Sequence, residues 1–152
     1  MIVEPDRHAH ATAVLIGDRG ILISGPSGSG KSSIASELMR RAVARGAFAA
    51  LICDDQCLLQ AISGRLVCAA PASLQGGLEV RGSGLHTADF ETCGVIHLAV
   101  ELTKPEQAIR FASDATIVLE GVAIPHLILP EREVDAACRA VEARLFRAFW
   151  KK

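Results

Sequence analysis

The chain has 152 residues, of which half are hydrophobic and 22% are charged, and its formal net charge is −1. This balance is typical of one globular domain with a single core, and without a basic excess it argues against nucleic acid as a partner. The sequence offers neither the roughly 18-residue apolar run that a membrane helix needs nor a signal peptide. We therefore expect a cytoplasmic protein with one domain over residues 1–152 that binds no nucleic acid and no membrane.

The first half of the chain predicts a hairpin, a helix and a buried strand, in that order. Residues 1–11 are polar and are predicted to be irregular. Residues 12–16 and 21–24 are short apolar runs on either side of a turn bounded by glycines, which indicates two antiparallel strands. Residues 33–44 have the apolar spacing of a helix, and residues 48–53 form an apolar run typical of a buried strand.

The second half predicts several more strands and a terminal helix. Residues 78–85 alternate apolar and charged side chains before the run breaks at glycines. Residues 124–129 are apolar, but Pro125 removes a backbone donor, which favours an edge strand or an extended loop. Apolar residues recur at spacings of three and four across 131–150, which predicts a helix. Further strand candidates lie at 64–69, 94–102 and 115–119, with a turn or short helix at 105–111.

A phosphate-binding motif joins the second strand to the first helix. The stretch fits the pattern G-x-x-x-x-G-K-[ST] at every fixed position, with the preceding strand and following helix that the motif requires. Its glycines allow backbone N–H groups to point at phosphate oxygens, while Lys31 would reach the β- and γ-phosphates and the Ser32 hydroxyl would bind Mg²⁺. We therefore expect a nucleoside triphosphate to bind the eight residues Gly25, Pro26, Ser27, Gly28, Ser29, Gly30, Lys31 and Ser32.

Two adjacent aspartates, Asp54 and Asp55, follow the next predicted strand. A carboxylate at a strand end beside such a loop is where Mg²⁺ is commonly held. One aspartate could hold the metal while the other accepts a proton from an attacking hydroxyl. The alternative is that the pair only starts a turn.

A second acidic and basic pair lies in the alternating run. Glu79 and Arg81 flank Val80, so both side chains would point to the same face of a strand. They could supply a metal ligand and a phosphate clamp, or they could be a solvated ion pair of little energetic weight. The residues alone leave both interpretations open.

The cysteines and histidines have no spacing that identifies a metal site. Several of the five cysteines lie in apolar runs, and none forms a C-x-x-C pair, which predicts reduced, buried thiols. A zinc or redox site among them is the alternative. His8 and His10 would share a face of a strand, and two surface histidines are the simpler interpretation than a metal pair.

The order of these motifs resembles that of the bacterial HPr kinase/phosphorylase family, in the short form that consists of the catalytic domain alone. A histidine precedes a hairpin, the G-x-x-x-x-G-K-S loop follows, and a strand with Asp-Asp comes next. The family's signature is similar to Leu78-Glu79-Val80-Arg81-Gly82-Ser83-Gly84, and the resemblance covers about residues 8 to 125. It implies an α/β P-loop domain of the phosphoenolpyruvate-carboxykinase-like type, with a mixed sheet, a hairpin before the P-loop and a C-terminal helix.

The resemblance also implies roles for individual residues. Asp55 corresponds to the general base, and His10 stands where the family has an active-site histidine near the phosphates. The nearest counterpart of the family's arginine-bearing loop makes Arg132 a candidate for that arginine. The catalytic residues implied are Asp55, Lys31, His10 and Arg81, and the metal contacts implied are Ser32, Asp54 and Glu79.

The activity that the resemblance implies is an ATP-dependent kinase. Its cofactors would be ATP and Mg²⁺, and its substrate would be a serine of the phosphocarrier protein HPr. The reverse reaction of the family uses inorganic phosphate and releases pyrophosphate. Family members are typically hexameric.

Two other functions are compatible with the residues. A small-metabolite or nucleotide kinase would need basic lid residues late in the chain, for which the candidates are Arg139, Arg144 and Arg147. That function leaves residues 78–84 unexplained. The third possibility is a nucleotide-binding regulatory module without transfer activity, for which the incomplete arginine loop near Arg132 leaves room.

Overall fold

The computed structural model describes residues 7–112 and 114–150, and this part of the chain forms eleven strands and two α-helices. The strands are β1 (Arg7–Ala9), β2 (Ala11–Ile16), β3 (Arg19–Ser24), β4 (Ala49–Cys53), β5 (Cys57–Ile62), β6 (Arg65–Ala69), β7 (Gly77–Val80), β8 (Gly84–Thr87), β9 (Cys93–Thr103), β10 (Thr116–Leu119) and β11 (Val122–Pro130). The helices are α1 (Lys31–Ala44) and α2 (Val134–Phe146), with short 3₁₀ helices at Ala72–Leu74 and Pro105–Gln107. Neither described α-helix is long and apolar enough to span a bilayer.

Nine strands form one mixed sheet around the long strand β9. The order along the sheet is β1-β5-β6-β9-β3-β2-β4, and β11 also pairs with β9 and carries β10 on its other side. Strands β3 and β11 run parallel to β9, whereas β2 runs antiparallel to both β3 and β4. Strands β3, β4, β9 and β11 therefore point the same way, so the segments that follow them meet at one edge of the sheet.

Both faces of this sheet carry buried apolar residues. Alternate residues of each strand point to opposite sides, so one strand contributes to both cores. On β3, Ile21 and Ile23 pack in the core that contains α1 and α2, whereas Leu22 packs in a second core on the other face. The buried residues of that second core come from the strands and from Ala70, directly after β6. The sheet therefore curls, and its outer strands cover the face that lies away from the helices.

The hairpin and the helix around the phosphate-binding motif are confirmed. Strands β2 and β3 pair antiparallel from Ala11 opposite Ser24 to Ile16 opposite Arg19. Helix α1 begins at Lys31, inside the motif, and ends at Ala44. The run at 78–85 breaks at its glycines as predicted and forms the hairpin β7–β8, because Gly82 and Gly84 have φ values of 86° and 130° and turn the chain back.

The expectation of an edge strand or loop at 124–129 is wrong. Strand β11 spans Val122–Pro130 and lies between β10 and β9. Pro125 faces β10, and pairing with β9 begins only at His126. The missing N–H of the proline therefore does not interrupt the parallel ladder.

Two boundaries also differ from the sequence prediction. Helix α2 begins at Val134 because Arg132 has a φ of 63°, which no helix continues, and it ends at Phe146. Phe149, the last position of the predicted apolar stripe, lies beyond the helix and is exposed. At the other end of the chain, Arg7–Ala9 form β1 on the unpredicted strand β5, and residues 1–6 of the predicted irregular segment lie outside the described residues.

The prediction of reduced, buried cysteines holds for only part of the set. Cys53 and Cys57 form a disulfide, and Cys93 is exposed. Burial raises the pKa of the Cys68 thiol to about 12 and that of the Cys138 thiol to about 11. The short connection at residues 54–56 leaves the Cα atoms of Cys53 and Cys57 5.7 Å apart, a separation that suits a disulfide.

We predict that Gly20 tolerates no side chain. A Cβ atom at this position would lie 2.1 Å from the carbonyl oxygen of Val95, so Gly20→Ala should push β3 away from β9. We expect the free energy of unfolding to fall by about 3 kcal/mol in urea denaturation. Gly77→Ala is the control, since its nearest contact would be 3.6 Å away, and equal losses in the two variants would contradict the prediction.

Candidate active site

The loop between β3 and α1 is shaped by three glycines, two of which are fixed positions of the motif. Gly25, Gly28 and Gly30 have φ values of 155°, 78° and 104°. Helix α1 begins directly after Gly30 and has no side-chain hydrogen bond capping its first turn. Its first backbone N–H groups therefore face the loop together with the positive end of the helix dipole, which suits an anion.

The interior of this loop fits a polar ligand and leaves no room for a side chain at Gly25. A Cβ atom there would lie 2.8 Å from the Ser29 hydroxyl oxygen and 2.9 Å from the Cβ of Leu102. The Ser29 hydroxyl is buried and has no hydrogen-bond partner within the part of the chain that the structure describes. Because buried polar atoms are nearly always hydrogen-bonded, this hydroxyl is a donor that a ligand oxygen could satisfy.

Lys31 holds its ammonium group inside the same loop. Its side chain is buried, and Nζ donates to the carbonyl oxygens of Gly25 at 3.0 Å and Pro26 at 3.1 Å. An ammonium group has three donors, so one remains for another acceptor. Among the described residues, no salt bridge joins Lys31 or Arg81 to an acidic residue of the site.

Asp54 connects three separate parts of the chain. One of its carboxylate oxygens accepts hydrogen bonds from the hydroxyls of Ser32 at 2.6 Å and Thr12 at 2.8 Å. The other accepts the backbone N–H of Glu79 at 2.9 Å. The carboxylate thus lies against the start of α1 and fixes β2 and β7 around it, with hydroxyl and carboxylate oxygens of the kind that Mg²⁺ prefers.

Asp55 lies beside Asp54 but has a different environment. Its backbone is left-handed, with a φ of 70°, and its side chain is exposed and points into the cavity described below. The carboxylate forms a hydrogen bond with Nε2 of His10. Asp55 therefore remains open to a partner from solvent, while His10 holds it in place.

Two arginines approach the loop at Gly28 from different elements. A Cβ atom at Gly28 would lie 3.9 Å from a terminal nitrogen of Arg81, which follows β7. Arg132, which follows β11, donates from Nε to the Gly28 carbonyl at 3.4 Å and from its backbone N–H to the Ser29 carbonyl at 2.9 Å. The two guanidinium groups place positive charge on the rim of the loop.

Most of the predicted site residues line one cavity of about 500 Å³ at the carboxyl edge of the parallel strands. Gly25, Pro26 and Ser29 belong to the loop but are not among the lining residues, and Arg139, Arg144 and Arg147 lie elsewhere. The predicted residues that line the cavity are His10, Ser27, Gly28, Gly30, Lys31, Ser32, Asp54, Asp55, Glu79 and Arg81.

Sequence reasoning missed several residues of this cavity. Thr12 is fully buried, and its hydroxyl reaches Asp54 only because β2 pairs with β4. The sequence feature that could have identified Thr12 as a site residue is its position as a single polar residue in an apolar strand. The cavity is also lined by residues of the 3₁₀ helix before β7 and just after it, Ser73, Leu74 and Gln75, and by Leu85 of β8. No local sequence pattern identifies these residues as part of a site.

We predict that Asp54 supports the fold through acceptors and not through its charge. Asp54→Ala leaves the donors of Ser32, Thr12 and Glu79 without their acceptor and should lower the free energy of unfolding by about 2 kcal/mol. Asp54→Asn should cost less than about 1 kcal/mol, because its NH₂ group can donate to the two hydroxyls while its oxygen still accepts the Glu79 N–H. Urea denaturation measures both losses, and a similar loss in the two variants would show that the charge itself matters.

The family model for the HPr Serine kinase C-terminal domain matches residues 2–149. An HPr kinase/phosphorylase of Clostridium tetani is 34% identical over 113 residues, which cover 68% of this chain and 35% of that protein. One of Clostridium beijerinckii is 38% identical over 81 residues, which cover 53% of this chain and 25% of that protein. The matched part thus spans about a third or less of these relatives.

A solved structure shows the same fold. The Hpr(Ser) kinase/phosphatase from Coxiella burnetii superposes with a TM-score of 0.74 at 23% identity, covering 91% of this chain and 95% of that chain. The likeness extends to the mixed α/β architecture, the curled sheet and the C-terminal helix. With a family model that matches almost its whole length, the chain belongs to the HPr serine kinase C-terminal domain family.

Proposed function

We propose that this domain is an ATP-dependent protein kinase that phosphorylates a serine of the phosphocarrier protein HPr. One observation carries the proposal: the glycine-rich loop and the Asp54–Asp55 pair line the same cavity. Family membership supports HPr as the substrate. The similar proteins of Clostridium tetani and Clostridium beijerinckii are named HPr kinase/phosphorylase.

The loop and its flanking cations would hold the triphosphate. The first amides of α1 and the ammonium of Lys31 supply donors for the phosphate oxygens, and Arg81 adds a guanidinium at the rim near Gly28. These charges are fixed in place before the reaction, which is the form of electrostatic stabilisation that lowers a barrier most. Ser32, Asp54 and Glu79 would hold Mg²⁺, which neutralises phosphate charge when it is bound.

Asp55 is the proposed general base. It is exposed to the cavity, it takes no part in the three hydrogen bonds that Asp54 accepts, and it is held by His10. The carboxylate would accept the proton of the substrate serine as its oxygen bonds to the γ-phosphorus. His10 acts here as a positioning residue, since its contact is with Asp55.

The proposal includes the finer features that the family suggests. We assign residues 1–152 to one P-loop kinase domain of the phosphoenolpyruvate-carboxykinase-like type, acting in the cytoplasm as a hexamer, without nucleic acid as partner. The same cavity would support phosphorolysis, in which an oxygen of inorganic phosphate attacks the phosphorus of phosphoserine and the P–O bond to the serine breaks. The products are pyrophosphate and a serine that has regained its proton. The alternative of a metabolite kinase gains no support, because its lid candidates Arg139, Arg144 and Arg147 do not line this cavity.

The experiment that tests the proposal is phosphoryl transfer from γ-labelled ATP with Mg²⁺. We expect label in purified HPr at one serine, and no label when that serine is replaced by alanine. Label on free metabolites or nucleotides instead would overturn the proposal in favour of a metabolite kinase. Tight ATP binding with no transfer to any acceptor would identify a regulatory module.

We predict that Asp55→Asn separates transfer from binding. The amide cannot accept the serine proton, so kcat should fall by about 100-fold or more, while the dissociation constant of ATP should stay within about threefold of the parent value. Labelled transfer measures the first quantity and titration calorimetry the second.

The control for this prediction is Asp18→Asn, an exposed aspartate in the β2–β3 turn. It should change neither quantity. Loss of ATP binding in Asp55→Asn would move Asp55 from the role of base to that of metal ligand.

A further inference from the structure

Three cysteine sulfurs lie directly beneath the aspartate pair. Cys53 ends β4 and Cys57 begins β5, and their disulfide closes a loop that contains Asp54, Asp55 and Gln56. Cys68 on β6 has its sulfur 3.6 Å from that of Cys53. All three cysteines are buried, and their sulfurs lie within 4.8 Å of one another.

This disulfide joins two distant parts of the sheet. In the strand order β4 is the last strand at one end, whereas β5 is the second strand from the other end. Residues 54–56 connect these two strands directly, the curl of the sheet lets them meet, and both strands contribute to the second core. The covalent bond therefore fixes, at one point, both the curl of the sheet and the two ends of the aspartate loop.

The aspartate loop is the part of the site that such a bond would control. Asp55 has a left-handed backbone, and Asp54 makes its three hydrogen bonds only if the loop stays close to Thr12, Ser32 and Glu79. Backbone hydrogen bonding inside the loop is limited to the N–H of Gln56 and the carbonyl of Asp54 at 2.8 Å. With so few internal bonds, its shape depends on how its ends are held.

A disulfide suits this cluster better than a metal ion. A metal would need deprotonated thiols, and burial in an apolar core raises the pKa of the Cys68 thiol to about 12. The disulfide carries no charge and leaves Cys68 as a neutral thiol. The neighbours of the cluster in its core are apolar side chains such as Ala11, Leu59 and Leu66, which solvate no charge.

We propose that Cys53 and Cys57 form a reversible disulfide that locks the Asp54–Asp55 loop in its working shape, so that the redox state of this pair regulates the site. Reduction by a dithiol breaks the S–S bond, gives two thiols on the protein and leaves the reagent as a disulfide. Oxidation by a small disulfide reverses the step. The loop is ordered in the oxidised protein and mobile in the reduced protein; the effect on transfer rests on the proposed function, but the disulfide and the loop mobility do not.

The test uses the full chain equilibrated in graded mixtures of reduced and oxidised dithiothreitol. After unfolding and alkylation, the oxidised chain should take up three alkyl groups, on Cys68, Cys93 and Cys138, and the reduced chain should take up five. Hydrogen exchange of the amides of residues 54–56 should be roughly tenfold faster in the reduced chain, because the short covalent loop is open. Phosphoryl transfer to HPr should fall severalfold in parallel.

Two double variants make the test specific. Cys53→Ala with Cys57→Ala should show fast loop exchange at every redox ratio. Cys68→Ala with Cys138→Ala also removes two buried cysteines but should keep the full redox response. If the first variant does not fold, as judged by circular dichroism, the proposal is still tested by comparing hydrogen exchange in the oxidised and reduced parent chain.

Three results would overturn the proposal. Five alkyl groups at all redox ratios would show that the disulfide does not form. Equal hydrogen exchange of residues 54–56 in both states would show that the disulfide does not control the mobility of the loop. Stoichiometric binding of Zn²⁺ alone to the reduced chain would identify the cysteine cluster as a metal site. A chain that never transfers phosphate but keeps the redox-dependent loop exchange would contradict the proposed function and leave the disulfide lock intact.

Discussion

The site depends on the hydrogen bonds that converge on the Asp54 carboxylate. The Ser32 hydroxyl donates from the start of α1, the Thr12 hydroxyl from β2 and the backbone N–H of Glu79 from β7. The bonds from the two hydroxyls are partly buried, so these donors would lack an acceptor if the carboxylate were removed. One side chain therefore sets the distance between the glycine-rich loop and the acidic residues opposite.

Strand direction explains why these groups meet at all. Because β3, β4 and β11 are parallel, the glycine-rich loop, the aspartate pair and Arg132 all emerge at the same edge of the sheet. The helices cover one face, and the curl of the sheet covers the other. The second core is the one that lies under the aspartate loop, so packing between strands, together with the Cys53–Cys57 bond, positions that loop.

Opposite charges gather around the cavity without neutralising one another. Lys31 bonds to carbonyl oxygens, and Arg132 donates to the carbonyl of Gly28, while Arg81 lies beside the same residue. Asp54 is satisfied by hydroxyls and an N–H group, and Asp55 by His10. Among the described residues, Lys31 and Arg81 form no salt bridge, so their charge stays available for a polyanion.

The sequence by itself determined the features that depend on neighbouring residues: the glycine-rich loop with its strand and helix, the hairpin before it, and a carboxylate pair at a strand end. The tertiary structure alone decided the place of Thr12 and Arg132 beside the loop, the pairing of β11 on both sides despite Pro125, and the Cys53–Cys57 bond. These features join residues that are distant along the chain or lie in strands at opposite ends of the sheet. Their contacts depend on strand order and curl, which no local spacing encodes.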